Sequence, residues 1–75
     1  MWEAAVIYVR SAGGWTEIQT GDANHVFQYG DTVMTVFPDG GWRTVTPDGL
    51  KQQVRSGTLN NLERFLNDFA ALNPR

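Results

Sequence analysis

The chain has 75 residues, of which 41% are hydrophobic and 19% are charged, and it contains no cysteine. A chain of this length supports one hydrophobic core, so we expect a single domain spanning residues 1–75. The missing cysteines exclude disulfide bonds and thiolate metal sites. A net charge of −2, with six basic residues scattered along the sequence, disfavours nucleic acid as a partner.

Hydrophobic residues nowhere form a run of the roughly 18–20 that a membrane helix needs. The first residues also lack the basic start of a secretory signal. We therefore expect a protein that does not enter the membrane and works in the cytoplasm, a location that the absence of cysteine also fits.

The first half of the chain is rich in short runs of β-branched and aromatic residues. Residues 2–10 end in Val-Ile-Tyr-Val, which predicts a first strand with two apolar faces. Residues 15–20 predict a second strand with Ile18 facing inward and with Glu17 and Gln19 facing outward. Residues 25–29 predict a third.

A Pro-Asp-Gly turn at 38–40 separates two further strands, 32–37 and 41–46. Proline and aspartate suit the central positions of a type I turn, and glycine accepts the left-handed conformation that closes a three-residue hairpin. This turn sets the register of the hairpin. The predicted opposite pairs are Phe37 with Gly41, Val36 with Trp42, Met34 with Thr44 and Val33 with Val45.

The region after the second Pro-Asp-Gly sequence, at 47–49, is ambiguous. Residues 50–55 alternate as a sixth strand would, but Lys and Gln also suit a short helix over 47–56. The last segment is clearer, because apolar residues at helical spacing predict a helix over 59–72 with Thr58 as its cap. That apolar stripe consists of Leu62, Phe65, Leu66, Phe69 and Leu72.

These elements predict an α+β fold. Its core is an antiparallel meander of five or six short strands, forming a twisted sheet or a partly closed barrel, with one C-terminal helix packed on it.

Candidate catalytic and metal-binding residues are few. His25 could act as a base with Asp22, but a single histidine near one aspartate more often lies at a strand start without a catalytic role. Four aspartates recur in predicted turns, where they stabilise the turn through backbone hydrogen bonds and are too dispersed for a calcium loop. We therefore expect no enzyme, cofactor or metal site. The four aspartates in predicted turns are Asp22, Asp31, Asp39 and Asp48.

Seven large aromatic rings fall within the first 42 residues. We expect most of them in the core, with any ring left on an uncovered sheet face serving as a patch for a protein partner or a platform for stacked bases. They are Trp2, Tyr8, Trp15, Phe27, Tyr29, Phe37 and Trp42.

We interpret the protein as a small non-enzymatic module that binds another protein, or itself as a homo-oligomer, through an aromatic sheet face or a free sheet edge. In size and charge alone it resembles phage-encoded inhibitors, adaptors and accessory proteins. The predicted contact residues are Trp15, Phe37, Trp42 and Arg43, with Trp42 and Arg43 on opposite faces of one strand. The alternative is a small-ligand or nucleotide-binding module that uses stacked aromatics with Arg43 or Arg10.

Overall fold

A computed structural model describes residues 2–20 and 24–72. Its five strands form one antiparallel sheet in the order β1-β2-β3-β4-β5, an open meander with a C-terminal helix, which confirms the predicted α+β fold. None of the described helices has the length and apolar character required to cross a membrane. The elements are α1 (Trp2–Ala12), β1 (Thr16–Thr20), β2 (His25–Tyr29), β3 (Thr32–Val36), β4 (Trp42–Asp48), β5 (Lys51–Gly57) and α2 (Leu59–Leu72).

The N-terminal segment is a helix, so the prediction of a strand over residues 2–10 is wrong. Ala5, Val6 and Val9 share one side of α1 at helical spacing and are buried, at 0–4% exposure. Ile7 lies on the other side and is 58% exposed. Burial of this stripe outweighs the strand preference of the β-branched residues, as tertiary packing often does.

The ends of α1 also suit a helix. Glu3 lies in the first turn and Arg10 in the last, where each side-chain charge complements the helix dipole. Gly13 follows with φ at +77°, the left-handed conformation that commonly ends a helix.

Strand β1 contains a bulge between Glu17 and Gln19, where its register with β2 shifts. Ile18 is 53% exposed at this point, so the prediction that it faces inward is wrong. Glu17 instead lies on the helix side, directly opposite the buried Phe27. Hydrogen bonds to Arg10 and His25 offset the cost of placing its carboxylate there.

The β3–β4 hairpin forms as predicted, with Val36 opposite Trp42, Met34 opposite Thr44, and Val33 opposite Val45. Its turn is closed by hydrogen bonds from the Phe37 N–H to the Gly41 carbonyl (2.8 Å) and from the Gly40 N–H to the Phe37 carbonyl (2.9 Å). The φ of Gly40 is +91°, a conformation that glycine adopts without strain.

Residues 47–56 extend the sheet, which decides the ambiguity in favour of strand. Pro47 and Asp48 belong to β4, and Asp48 pairs directly with Lys51 of β5. The second Pro-Asp-Gly sequence therefore does not repeat the first turn. Only Gly49, with φ at +65°, and Leu50 lie between the two strands.

Helix α2 begins after Thr58, as predicted. The side-chain Oδ1 of Asn61 accepts a hydrogen bond from the Thr58 backbone N–H at 2.9 Å, which caps the first turn. The indole N–H of Trp42 donates to the Thr58 carbonyl at 3.0 Å and also approaches Asn61 Oδ1 at 3.3 Å. The start of α2 is thereby fixed to β4.

Both helices pack on one side of the sheet and share one core with it. The fold therefore has two layers, a sheet and a helix pair. The buried apolar residues are Ala5, Val6 and Val9 from α1, Phe27, Met34, Val36 and Trp42 from the sheet, and Leu62, Phe65 and Leu66 from α2.

Candidate functional site: the open sheet face

The side of the sheet that points away from the two helices carries every second residue of each strand. We call this surface the open face. By the strand register, its residues are Thr16, Gln19, Val26, Gln28, Val33, Thr35, Arg43, Val45, Pro47, Gln52, Val54 and Ser56. Phe37, which follows β3, joins them through its contact with Arg43.

A row of three valines crosses the open face. Val33 lies directly opposite Val45, and Val45 lies directly opposite Val54. Val33 and Val45 are partly buried by their neighbours, and Val54 at the sheet edge is 56% exposed. Side chains that oppose one another on adjacent strands are in contact, so the row forms a continuous aliphatic strip.

Charge is almost absent from the open face. The chain has six basic and eight acidic residues, and among those in residues 2–20 and 24–72 only Arg43 belongs to this face. Depletion of charge is the compositional sign of the central part of a protein–protein interface. The open face therefore combines the two features expected of a binding surface, apolar area and low charge.

Arg43 and Phe37, two of the predicted contact residues, lie together on this face. The Arg43 guanidinium lies over the Phe37 ring, 5.8 Å from its centroid. Such a cation–π contact is worth about 0.5–1 kcal/mol at an exposed site. It holds the Arg43 charge against an apolar ring.

The two predicted tryptophans lie elsewhere. Trp42 is a core residue with 4% exposure, so it offers no surface to a partner. Trp15 packs on the helix side, with its ring centroid 5.4 Å from that of Tyr29 and 5.1 Å from that of Phe69. Among the described residues, Phe37 is the only aromatic ring on the open face, so this surface is aliphatic and offers no platform of stacked rings.

The valine row is the feature that the sequence interpretation missed. The hairpin register already placed Val33 opposite Val45, and the alternation of β5 adds Val54.

His25 belongs to a different cluster, which joins α1 to the sheet. Its Nδ1 lies 2.8 Å from Oε2 of Glu17, and Arg10 Nε donates to Oε1 of the same carboxylate at 2.9 Å. Burial raises the pKa of Glu17, but hydrogen bonds and positive charge from His25 and Arg10 outweigh it and hold the pKa below its usual value. The suggested partner Asp22 lies outside the described residues.

This cluster does not resemble a metal site. Within residues 2–20 and 24–72, no group of three His, Asp or Glu side chains is arranged to hold a metal ion. The contacts of Glu17 instead link α1, β1 and β2, which makes the cluster a structural connection between the layers.

The sheet has two edges, and they differ. β1 has five residues and is interrupted by its bulge. β5 has seven residues and pairs with β4 at every position without interruption. We call the outer side of this strand the β5 edge.

The fold and the open face together define a class of protein, a two-layer α+β sandwich with one sheet face uncovered. Comparison of the chain with family models, with curated proteins and with solved structures finds no match in any of the three.

Proposed function

We propose that the protein is a small non-enzymatic binding module that recognises another protein through its open face. In this role it acts as an inhibitor, adaptor or accessory protein. The observation that carries the proposal is the valine row Val33–Val45–Val54, on a face where Arg43 is the one charged residue that the described part of the chain contributes. The cysteine-free sequence is compatible with the cytoplasm, where the proposal places the interaction.

The open face would bind mainly by excluding water from its aliphatic strip. Each partly exposed valine that a partner covers contributes up to about 1 kcal/mol. Arg43 supplies the polar contribution, because a partner that covers it must provide an acceptor or a carboxylate to avoid burying an unpaired charge. We therefore expect a partner with a flat apolar surface that carries an acidic group opposite Arg43.

In-cell crosslinking tests this proposal. A photoreactive amino acid replaces Thr35, which lies on β3 between Val26 and Arg43 on the open face. The control carries the same amino acid at Asn67, an exposed position on α2. We expect position 35, and not position 67, to yield a discrete crosslinked product with a different protein, and that protein to bind the purified chain. The proposal would be overturned if both positions yield the same crosslinked products, or if neither position yields any.

A further inference from the structure

The β5 edge is competent to accept another strand. Its register with β4 is unbroken from Lys51 to Gly57, so the strand is regular along its whole length. At the opposite edge, the bulge at Glu17–Gln19 disturbs the backbone. Bulges are one of the devices that prevent a sheet edge from pairing, and β5 lacks this device.

Charged side chains are another such device, and β5 contains Lys51 and Arg55. Both residues, however, lie beside groups of their own chain that attract a positive charge. Lys51 lies directly opposite Asp48 of β4. The Arg55 guanidinium lies over the Phe65 ring of α2, 5.7 Å from its centroid. The cation–π contact draws the Arg55 charge back over α2 of its own chain, which weakens its protection of the edge. Lys51 is the first residue of β5, so its charge protects only one end of the strand.

We infer that the β5 edge pairs with the β5 edge of a second copy of this chain, antiparallel and with the two-fold axis at Val54. Val54 is the central residue of the strand Lys51–Gly57. In this register Lys51 lies opposite Gly57 of the second copy, and Arg55 lies opposite Gln53 of the second copy. Like charges directly opposite each other destabilise a strand pair, and this register opposes no two charges of like sign. The same strand serves both copies, as a two-fold interface requires.

This pairing goes beyond the proposed function and uses a different surface. Residues directly opposite one another in paired strands point to the same side of the sheet, so both open faces lie on one side of the dimer. The row Val33–Val45–Val54 then continues into the same row of the second copy. The dimer presents one aliphatic surface of twice the length. Pairing of one strand buries less than the roughly 800 Å² per partner of a standard interface, so we expect the dimer to dissociate on dilution.

Molar mass measured over a concentration series tests the pairing. The mass of the purified chain should rise from 8.4 kDa towards twice that value as its concentration approaches roughly 1 mM. Val54→Glu places two carboxylates opposite each other at the axis and should keep the chain monomeric. Ile7→Glu, a substitution at an equally exposed aliphatic residue on α1, should leave the mass increase intact.

Single cysteines test the register, because the chain has none of its own. Two Val54→Cys residues would lie about 5 Å apart, within reach of a thiol crosslinker with a span of about 8 Å. Two Ser56→Cys residues would be four positions out of register, roughly 14 Å apart, and should not crosslink. The inference would be overturned if the mass stays that of a single chain at every concentration. It would also be overturned if Val54→Cys gives no crosslinked dimer, or if both cysteine variants crosslink equally. None of these results affects the crosslinking test at Thr35, so the two proposals can fail separately.

Discussion

Trp42 and Arg43 are consecutive in β4 and lie on opposite faces of the sheet. Trp42 is 4% exposed, packs against Phe65 with ring centroids 4.5 Å apart, and donates its indole N–H to the start of α2. Arg43 is exposed beside Phe37 on the open face. Trp42 therefore joins the sheet to the helix layer, and Arg43 belongs to the surface that we propose for binding.

This difference predicts different effects of substitution at the two positions. Trp42→Ala removes a buried ring and should lower the free energy of unfolding by about 3–5 kcal/mol, a large part of the roughly 5–15 kcal/mol that stabilises a domain. Arg43→Ala loses only an exposed cation–π contact and should cost less than about 1 kcal/mol. Urea unfolding followed by circular dichroism measures both. Equal losses for the two variants would contradict the assignment of Trp42 to the core and Arg43 to the surface.

Asn61 should stabilise α2 through its side-chain oxygen, which accepts the Thr58 N–H. Asn61→Ala leaves that N–H without its cap and should cost about 1 kcal/mol. Asn67→Ala removes the same amide group from an exposed position in the same helix and should change the stability by less than about 0.5 kcal/mol. Thermal unfolding of both variants makes the comparison. If the Asn67 variant loses as much stability as the Asn61 variant, the loss does not come from the hydrogen bond to Thr58, and Asn61 is not the cap of α2.

Low pH should weaken the contact between α1 and the sheet, because protonation removes the charge of the Glu17 carboxylate that joins them. The pKa of this carboxyl is lowered in the folded protein relative to its ordinary value of 4.5. The ionised form therefore stabilises the fold above about pH 4.5, and this contribution is lost as the pH falls below that value and through the folded-state pKa. Glu17→Gln should be less stable than the wild type at pH 7, and the difference should shrink as the pH falls to about 3.

Denaturant unfolding at both pH values measures this change. Glu63→Gln, at an exposed position on α2, is the control and should show a much smaller difference from the wild type. If the difference in the free energy of unfolding between wild type and Glu17→Gln is the same at both pH values, the ionisation of Glu17 contributes nothing to stability.

The sheet and α2 were predictable from sequence because local rules determine them. The turn at Pro38–Gly40 set the register of β3 and β4. Of the predicted apolar stripe of α2, Leu62, Phe65, Leu66 and Phe69 pack in or against the core, whereas Leu72 is 76% exposed. The N-terminal segment was not predictable in this way. Its β-branched residues favour a strand, and only the burial of Ala5, Val6 and Val9 against the sheet makes it a helix.

The open face followed only in part from the sequence. The placement of Trp42 and Arg43 on opposite faces of β4 was predicted, since it depends on strand alternation alone. The burial of Trp42 depends on where α2 lies, which strand patterns do not specify. An uncovered face was expected from a single predicted helix, and the face stays uncovered because the second helix, α1, packs on the same side of the sheet as α2.

The affinity for the protein captured at Thr35 is the most direct test of the open face. Val45→Lys introduces a charge at the middle of the valine row, on a side chain that points away from the core. Calorimetric titration should show at least a tenfold weaker affinity than for the wild type, a loss of about 1.4 kcal/mol or more. Ile7→Lys, at an exposed aliphatic residue of α1, should bind as the wild type does. Undiminished binding by Val45→Lys, with its fold intact by circular dichroism, would contradict the assignment of the open face as the binding surface.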